Sequence, residues 1–396
     1  MLRLFPFNST RFLSRGLKNT CSNSFQHKDL IIRKTEKRFP KPKNTADVPF
    51  GKIYSDHLLN VDWVEGKGWG KPEIRPFEGF QLHPAAKVLH SSLELFEGAK
   101  AYYGIDGKIR IFRPQLNMER MRRSAERCAF PDFDAKEAVK LLKELVKMDS
   151  DWVPRCAGSS LYLRPTMIGT EPTLGLAESK EVKLFMICSP VGQNYFKSEG
   201  TGVRLLADTS FVRSWPGGVG SYKMGCNYAP TIYVQQLAAK RDCHQVMWLQ
   251  GKEQLVTEAG AMNLFMFWKN EQGEEELITA PLDTGLLLPG ITRRSILELA
   301  REWGEFKVSE RSFTMADVVK AIDENRVYEF FSSGTAAVVG GISEIQYVDR
   351  SIGVDRTLRL PTMASKHKVM QRMYDTITGI QYGRIQKDGW AEIVEL

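Results

Sequence analysis

Lys223 stands in "SYKMGCNYAP", directly after the glycine loop "WPGGVG", and no Asp or Glu occurs between Thr209 and Arg241. Attack on an aldehyde needs a free amine, whereas a lysine with the ordinary pKa of about 10.4 is almost fully protonated at neutral pH. Burial away from carboxylates lowers that pKa, so this composition suits a Schiff-base lysine. A solvated surface charge is the commoner use of lysine and fits the same stretch. Glu258, in "VTEAGAMNLFMF", borders an apolar strand. A carboxylate is costly there unless a cation or a protonated nitrogen such as a pyridinium meets it; an acid facing water at a sheet edge is the alternative. Two segments offer donors to a phosphate. "LLPGITRRS" opens a helix with the free N–H groups of Ile291 and Thr292, the Thr292 hydroxyl and the positive end of the helix dipole. "FFSSGTAAV" follows a strand at Tyr328–Phe331 with a small-residue turn that presents the Thr335 hydroxyl and the Ala336 N–H. Each is common as plain structure; together they fit one anionic cofactor.

The elements that must carry these groups alternate between strand-like and helical runs, which favours a mixed α/β architecture. "LFMICSPV" (Leu184–Val191) reads as a buried strand, and the polar, glycine-rich stretch Gly192–Gly202 after it as a connection between domains. The expected organisation is a basic leader over residues 1–43, a small domain over 48–196, a linker over 197–207 and a large domain over 208–396. His244–Val256 and Met262–Ala280 each read as two strands joined by a glycine-containing turn. "ITRRSILELAREWG" places Ile296, Leu299, Ala300 and Trp303 on one helical face, with Gly304 at the stop.

The chain has 396 residues, is 42% hydrophobic and carries a net charge of +8, a composition that supports two buried cores. Residues 1–43 hold a net +9, which leaves −1 for the remainder, so a broad basic surface for nucleic acid is not expected on the body. No acid precedes Asp29, and Arg3, Arg11 and Arg15 lie among Leu2, Leu4, Phe5, Phe7 and Phe12 with several serines. That pattern reads as a mitochondrial transit peptide and implies the matrix; a basic tail for RNA or acidic lipid is the alternative. No apolar run is long enough to span a bilayer. Six cysteines and six histidines show no CxxC pair and no metal-ligand spacing, so free thiols and no metal are expected.

"LELFEGAKAYYG", "RPQLNMERMRRSA", "LYLRPTMIGTEPTLG", "GGVGSYKMGCNYAPTI", "TEAGAMNLF", "LPGITRRS" and "FSSGTA" resemble the branched-chain-amino-acid aminotransferases, fold-type IV pyridoxal-phosphate enzymes, and with the leader the chain resembles their mitochondrial form. The resemblance implies an α/β fold with a smaller N-terminal α/β domain and a larger C-terminal α/β pseudo-barrel. It implies that Lys223 holds pyridoxal 5'-phosphate and moves the substrate Cα proton, that Glu258 keeps the pyridine nitrogen protonated, and that Tyr228 bonds the ring hydroxyl. Arg120, Ile291, Thr292 and Thr335 would hold the phosphate, and Leu288 is counted with the cofactor-binding residues. Phe50, Tyr162, Tyr195 and Ala336 would wall the substrate pocket, with Arg164 serving the acidic co-substrate. The implied reaction is ping-pong transfer from L-leucine, L-isoleucine or L-valine to 2-oxoglutarate by a homodimer, without a nucleic-acid or membrane partner. A D-amino-acid aminotransferase or an aminodeoxychorismate lyase is the nearest rival. Three positions depart from the pattern: Ser91 stands where relatives carry a pocket tyrosine, Ala261 replaces a threonine, and Ala337 and Gly340 replace a redox-sensing cysteine pair.

Overall fold

The computed structural model describes residues 24–44, 46–193 and 201–396. Two sheets organise them. The first contains β1 (Ile31–Ile32), β2 (His57–Val64), β3 (Gly68–Trp69), β4 (Glu73–Pro76), β5 (Glu94–Phe96), β6 (Ala99–Tyr103), β7 (Ile109–Phe112), β8 (Ser160–Gly169) and β9 (Glu181–Val191). The second contains β10 (Val203–Asp208), β11 (Gln245–Gln250), β12 (Leu255–Ala259), β13 (Met262–Lys269), β14 (Glu275–Thr279), β15 (Lys307–Glu310), β16 (Val327–Gly334), β17 (Val338–Asp349) and β18 (Val354–Arg359). The final strand, β19 (Ala391–Val394), returns to the first sheet.

The first sheet has the order β1-β4-β2-β9-β8-β6-β7-β19, with β3 on β2 and β5 on β8. Its spine is the antiparallel pair β8 and β9, in register from Ser160↔Val191 to Gly169↔Val182. Two helices, α2 (Pro114–Arg127) and α3 (Ala135–Met148), follow β7. In α3 the buried Ala138, Leu141, Leu142, Leu145 and Val146 recur at helical spacing and join the core of this sheet. Asp134 caps that helix by accepting from the N–H groups of Lys136 and Glu137.

In the second sheet β12 pairs with both β11 and β13, which closes β12-β11-β10-β17-β16-β13 into a ring with β14 and β15 outside it. Closure removes free strand edges and gives the barrel its own core, around Met247, Leu264, Met266, Phe330 and Ile345. Helices α5 (Ile291–Trp303) and α7 (Val369–Gln381) cover it through a further core that includes the stacked rings of Phe265 and Phe331. Gly304 ends α5 in the left-handed conformation, as its place in the sequence suggests.

Three boundaries differ from the sequence reading. Residues 24–43, assigned there to the leader, pack on the first sheet: Ile31 and Ile32 pair with Glu73 and Ile74, and the Phe25 ring packs against Trp69 and Phe133. Arg38 reaches the buried Asp56 at 2.7 Å, so basic residues of this segment have specific partners. The large domain is not continuous to residue 396, because Ala391–Val394 pairs with β7. The linker is shorter than 197–207, since Val203 already begins β10 and its pairing with β17. No helix among the described residues is long and apolar enough to cross a membrane.

Candidate active site

Lys223 lies in the loop before a short 3-10 turn, Gly225–Asn227, and is fixed from both sides of its backbone. Its N–H donates to Ser124 Oγ of α2 at 3.0 Å and its carbonyl accepts from the Phe96 N–H at 3.0 Å. Gly225 sits where this loop meets β5, and a Cβ there would displace the Glu94 carboxylate. Lys223 Nζ donates to Tyr228 Oη at 3.3 Å and lies over the Phe96 ring, 4.9 Å from its centroid. Burial, with the nearby Arg120 charge, brings the Lys223 pKa down to about 8. Burial and the Glu258 charge push the Tyr228 phenol upward, so it stays protonated at neutral pH. Cys226 is unlike an activated thiol, since burial raises its pKa as well.

Glu258 sits on β12 inside the closed ring, 3% exposed, which excludes the water-facing edge position. Its Oε2 lies 2.6 Å from Arg213 Nη2, and its Oε1 accepts from the Leu288 N–H at 3.2 Å and from Asn263 Nδ2 at 3.1 Å. Burial nonetheless holds the carboxyl above its usual range, against the pull of Arg213 and the Leu288 N–H. Asn263 also donates to the Leu288 carbonyl at 3.0 Å, and a Cβ on Gly290 would lie 2.0 Å from Asn263 Oδ1. Glycine therefore lets the start of α5 close on the barrel.

The anion corner is built around that helix start. Arg120, buried on α2, donates Nε and Nη2 to the two oxygens of Glu97 at 2.7 and 2.8 Å, and Nη1 to the Pro289 carbonyl at 3.0 Å. Burial works against both charges, but each partner outweighs it for the other: Glu97 is held below the usual carboxylate range and Arg120 above its own. The guanidinium fork has five donors, so this pairing leaves some over for an anion. Ile291 and Thr292, both buried, present N–H groups that no helical carbonyl can reach. Thr335 Oγ1, in the turn between β16 and β17, donates to the Gly98 carbonyl at 3.3 Å. Gly98, Asn117, Ile291, Thr292 and Thr335 border one small hollow.

Phe50 packs edge-on against Tyr162 with centroids 4.8 Å apart, and Arg164 Nη2 donates to Tyr162 Oη at 3.2 Å. The Arg164 guanidinium lies 4.6 Å from the centre of the Phe96 ring, while its buried Nε has no hydrogen-bond partner. Ala336 adjoins Thr335 and accepts from Lys100 Nζ at 2.6 Å. Tyr195 falls outside the described residues. Ser91 is exposed at the end of α1 (Lys87–Ser91), its hydroxyl donating to the Lys87 carbonyl. Ala261 is exposed in the β12–β13 turn. A second cavity, lined by Tyr328, Arg359 and His367 among others, shares no residue with this site.

The structure therefore gathers Lys223, Tyr228, Glu258, Arg120, Leu288, Ile291, Thr292 and Thr335 at the junction of the two sheets. It adds Phe96, Glu97, Arg213 and Asn263, which sequence reading did not single out. The clue available for Phe96 and Glu97 is their place in "LELFEGAK"; Arg213 carries no comparable signal, since only folding brings it to Glu258.

Residues 94–345 match the family model of the class IV amino-transferases. Fold and match define a class IV aminotransferase, a class that uses pyridoxal phosphate. The chain is 52% identical over 370 residues, 93% of this chain and 89% of the relative, to the cytosolic branched-chain-amino-acid aminotransferase of Caenorhabditis elegans. It is 47% identical over 369 residues, 93% and 92% of the two chains, to the mitochondrial enzyme of that name from Bos taurus. Among solved structures, the branched-chain amino acid aminotransferase of Thermobaculum terrenum in its pyridoxal-phosphate form aligns with a TM-score of 0.66 at 19% identity, covering 86% of this chain and 99% of that one. The chain belongs to the branched-chain-amino-acid aminotransferase family. Cytosolic and mitochondrial relatives match it comparably, so similarity does not fix a compartment.

Proposed function

We propose that the protein transfers the amino group of L-leucine, L-isoleucine or L-valine to 2-oxoglutarate, using pyridoxal 5'-phosphate held at Lys223. The observation that carries this reading is an amine with a pKa near 8, 3.3 Å from a phenol, between a buried carboxylate and an arginine-lined helix start. These residues fit the cofactor: Lys223 for its aldehyde, Tyr228 for its ring hydroxyl, Glu258 with Leu288 for its ring nitrogen. Arg120, Ile291, Thr292 and Thr335 suit its phosphate. When bound, it supplies an electron sink for the charge that develops at the substrate Cα.

Lys223 then carries the proton at Cα, a task suited to an amine that titrates near neutral pH. Arg213 and the Leu288 N–H favour the ionised form of Glu258 against the burial that raises its pKa, and a protonated ring nitrogen beside it would favour that form further. Phe50, Tyr162 and Ala336 suit the apolar walls for a branched side chain. Arg164, with its free Nε at the polar edge, receives the second carboxylate of the co-substrate. One site thereby serves both half-reactions.

Purified holoprotein is expected to show a visible band that bleaches with L-leucine and returns with 2-oxoglutarate. Absence of a band after cofactor incubation, or activity on D-alanine alone, overturns the reading. A homodimer is proposed from family membership and is checked by sedimentation. The mitochondrial matrix is proposed from the arginine-rich, acid-free start of the chain; cytosolic fluorescence from a fusion of residues 1–23 to a reporter contradicts it.

A further inference from the structure

Lys100 is a buried lysine on β6 that the mechanism above does not use. Its Nζ crosses from the first sheet to the second, donating at 2.6 Å to the carbonyl of Ala336 in the turn between β16 and β17. Two residues earlier on the same segment, the Gly98 carbonyl accepts from Thr335 Oγ1 at 3.3 Å. The turn is thus tied at adjacent residues. It is also strained: Val338, which pairs with Gly334 at its base, has φ +62°, a left-handed conformation that β-branched residues avoid and glycine accepts. On one side the turn borders a cavity of about 440 Å³, shared by Lys100, Ala336, Ala337 and Gly340, so packing among the described residues does not prop it there.

Burial brings the Lys100 pKa to about 7, so retaining this charge is costly. An apolar side chain of similar length would fill the same space without that cost. The bond to the Ala336 carbonyl is one that such an apolar side chain could not make. We infer that Lys100 is a positioning residue for substrate: it holds the Ala336 carbonyl and keeps the strained turn 335–338 in the shape that presents Ala336 to the pocket. This rests on the reading of Ala336 as a pocket wall.

The test uses cofactor-loaded protein and 4-methylvalerate, a branched carboxylate without an amino group, titrated through the visible band. Lys100→Met is expected to raise the Kd of 4-methylvalerate and the KM of L-leucine about tenfold, the scale of a lost charge-assisted bond, with kcat less affected. Lys100→Arg, which keeps the charge, recovers most of the affinity. Val338→Gly introduced into Lys100→Met recovers part of it by relieving the turn. Should Lys100→Met not fold, Lys100→Gln is read in the same way. A folded Lys100→Met with wild-type Kd and KM, or equal impairment in Lys100→Met and Lys100→Arg, overturns the inference. An inactive wild type sinks the transaminase reading instead, so the two failures are distinguishable.

Discussion

Two lysines have lowered pKa values, the half-buried Lys223 at about 8 and the buried Lys100 at about 7. Acidity alone would choose Lys100 as the nucleophile; surroundings choose Lys223. Lys223 has the phenol of Tyr228 at bonding distance and interacts with Glu258 and Arg120, whereas Lys100 is bonded to a backbone carbonyl. Lys223→Ala is expected to abolish turnover while leaving the far-ultraviolet circular dichroism spectrum unchanged; wild-type rates in that variant contradict the assignment. The folded pKa of Lys223 lies below its unfolded value of 10.5. Between about pH 8 and that value the unfolded chain binds the extra proton, so stability rises with pH across this window. Cofactor uptake by the apoprotein is accordingly expected to speed up through about pH 8 and then level off, and a stopped-flow series that stays flat until pH 10 contradicts it. Lys223 and Glu258 stand out in the sequence because each is an isolated charge among small or apolar neighbours. Arg213 does not, because its pairing with Glu258 exists only after the barrel has formed. Arg213→Met leaves a buried carboxylate without its cation, a change that costs roughly 3–5 kcal/mol in comparable pairs, and thermal melting of the apoprotein measures it.

At the scale of elements, the segment Phe96–Lys100 does most of the positioning. Phe96 underlies Lys223, Glu97 orients Arg120, and Gly98 and Lys100 tie the β16–β17 turn. Gly98 tolerates no side chain, since a Cβ would lie 2.1 Å from Tyr162 Oη. Glu97→Gln keeps the shape and removes the charge. It is expected to weaken cofactor binding by about tenfold, the scale of a bond to a charged group, because Arg120 loses the partner that aligns it. Equilibrium titration with pyridoxal phosphate reads this directly. The hairpins over His244–Val256 and Met262–Ala280 and the helix after Pro289-Gly290 were legible because glycine turns and apolar periodicity are local signals. The closure of β12 on β13 and the parallel pairing of β10 with β17 join distant residues and leave no such local mark.

For the whole molecule, the first and last described segments complete the first sheet. Phe25, Ile31 and Ile32 cover one side of it, and Ala391–Val394 pairs with β7 at its edge. A chain beginning at Asn44 is expected to melt lower than one beginning at Ser24, having lost the Phe25 contacts and the Arg38–Asp56 pair. Calorimetry of the two truncations decides this, and equal melting temperatures contradict it. Net charge misled at this scale: the basic residues of 24–43 looked like leader because charge is additive along a sequence, while their use as partners for Asp56 and Asp151 is a property of the fold.

The most direct measurement is reductive trapping of the holoprotein with borohydride, followed by peptide mass mapping. The pyridoxyl adduct is expected on the peptide carrying Lys223 and nowhere else. An adduct on Lys100, or on no lysine of a fully loaded sample, contradicts the account.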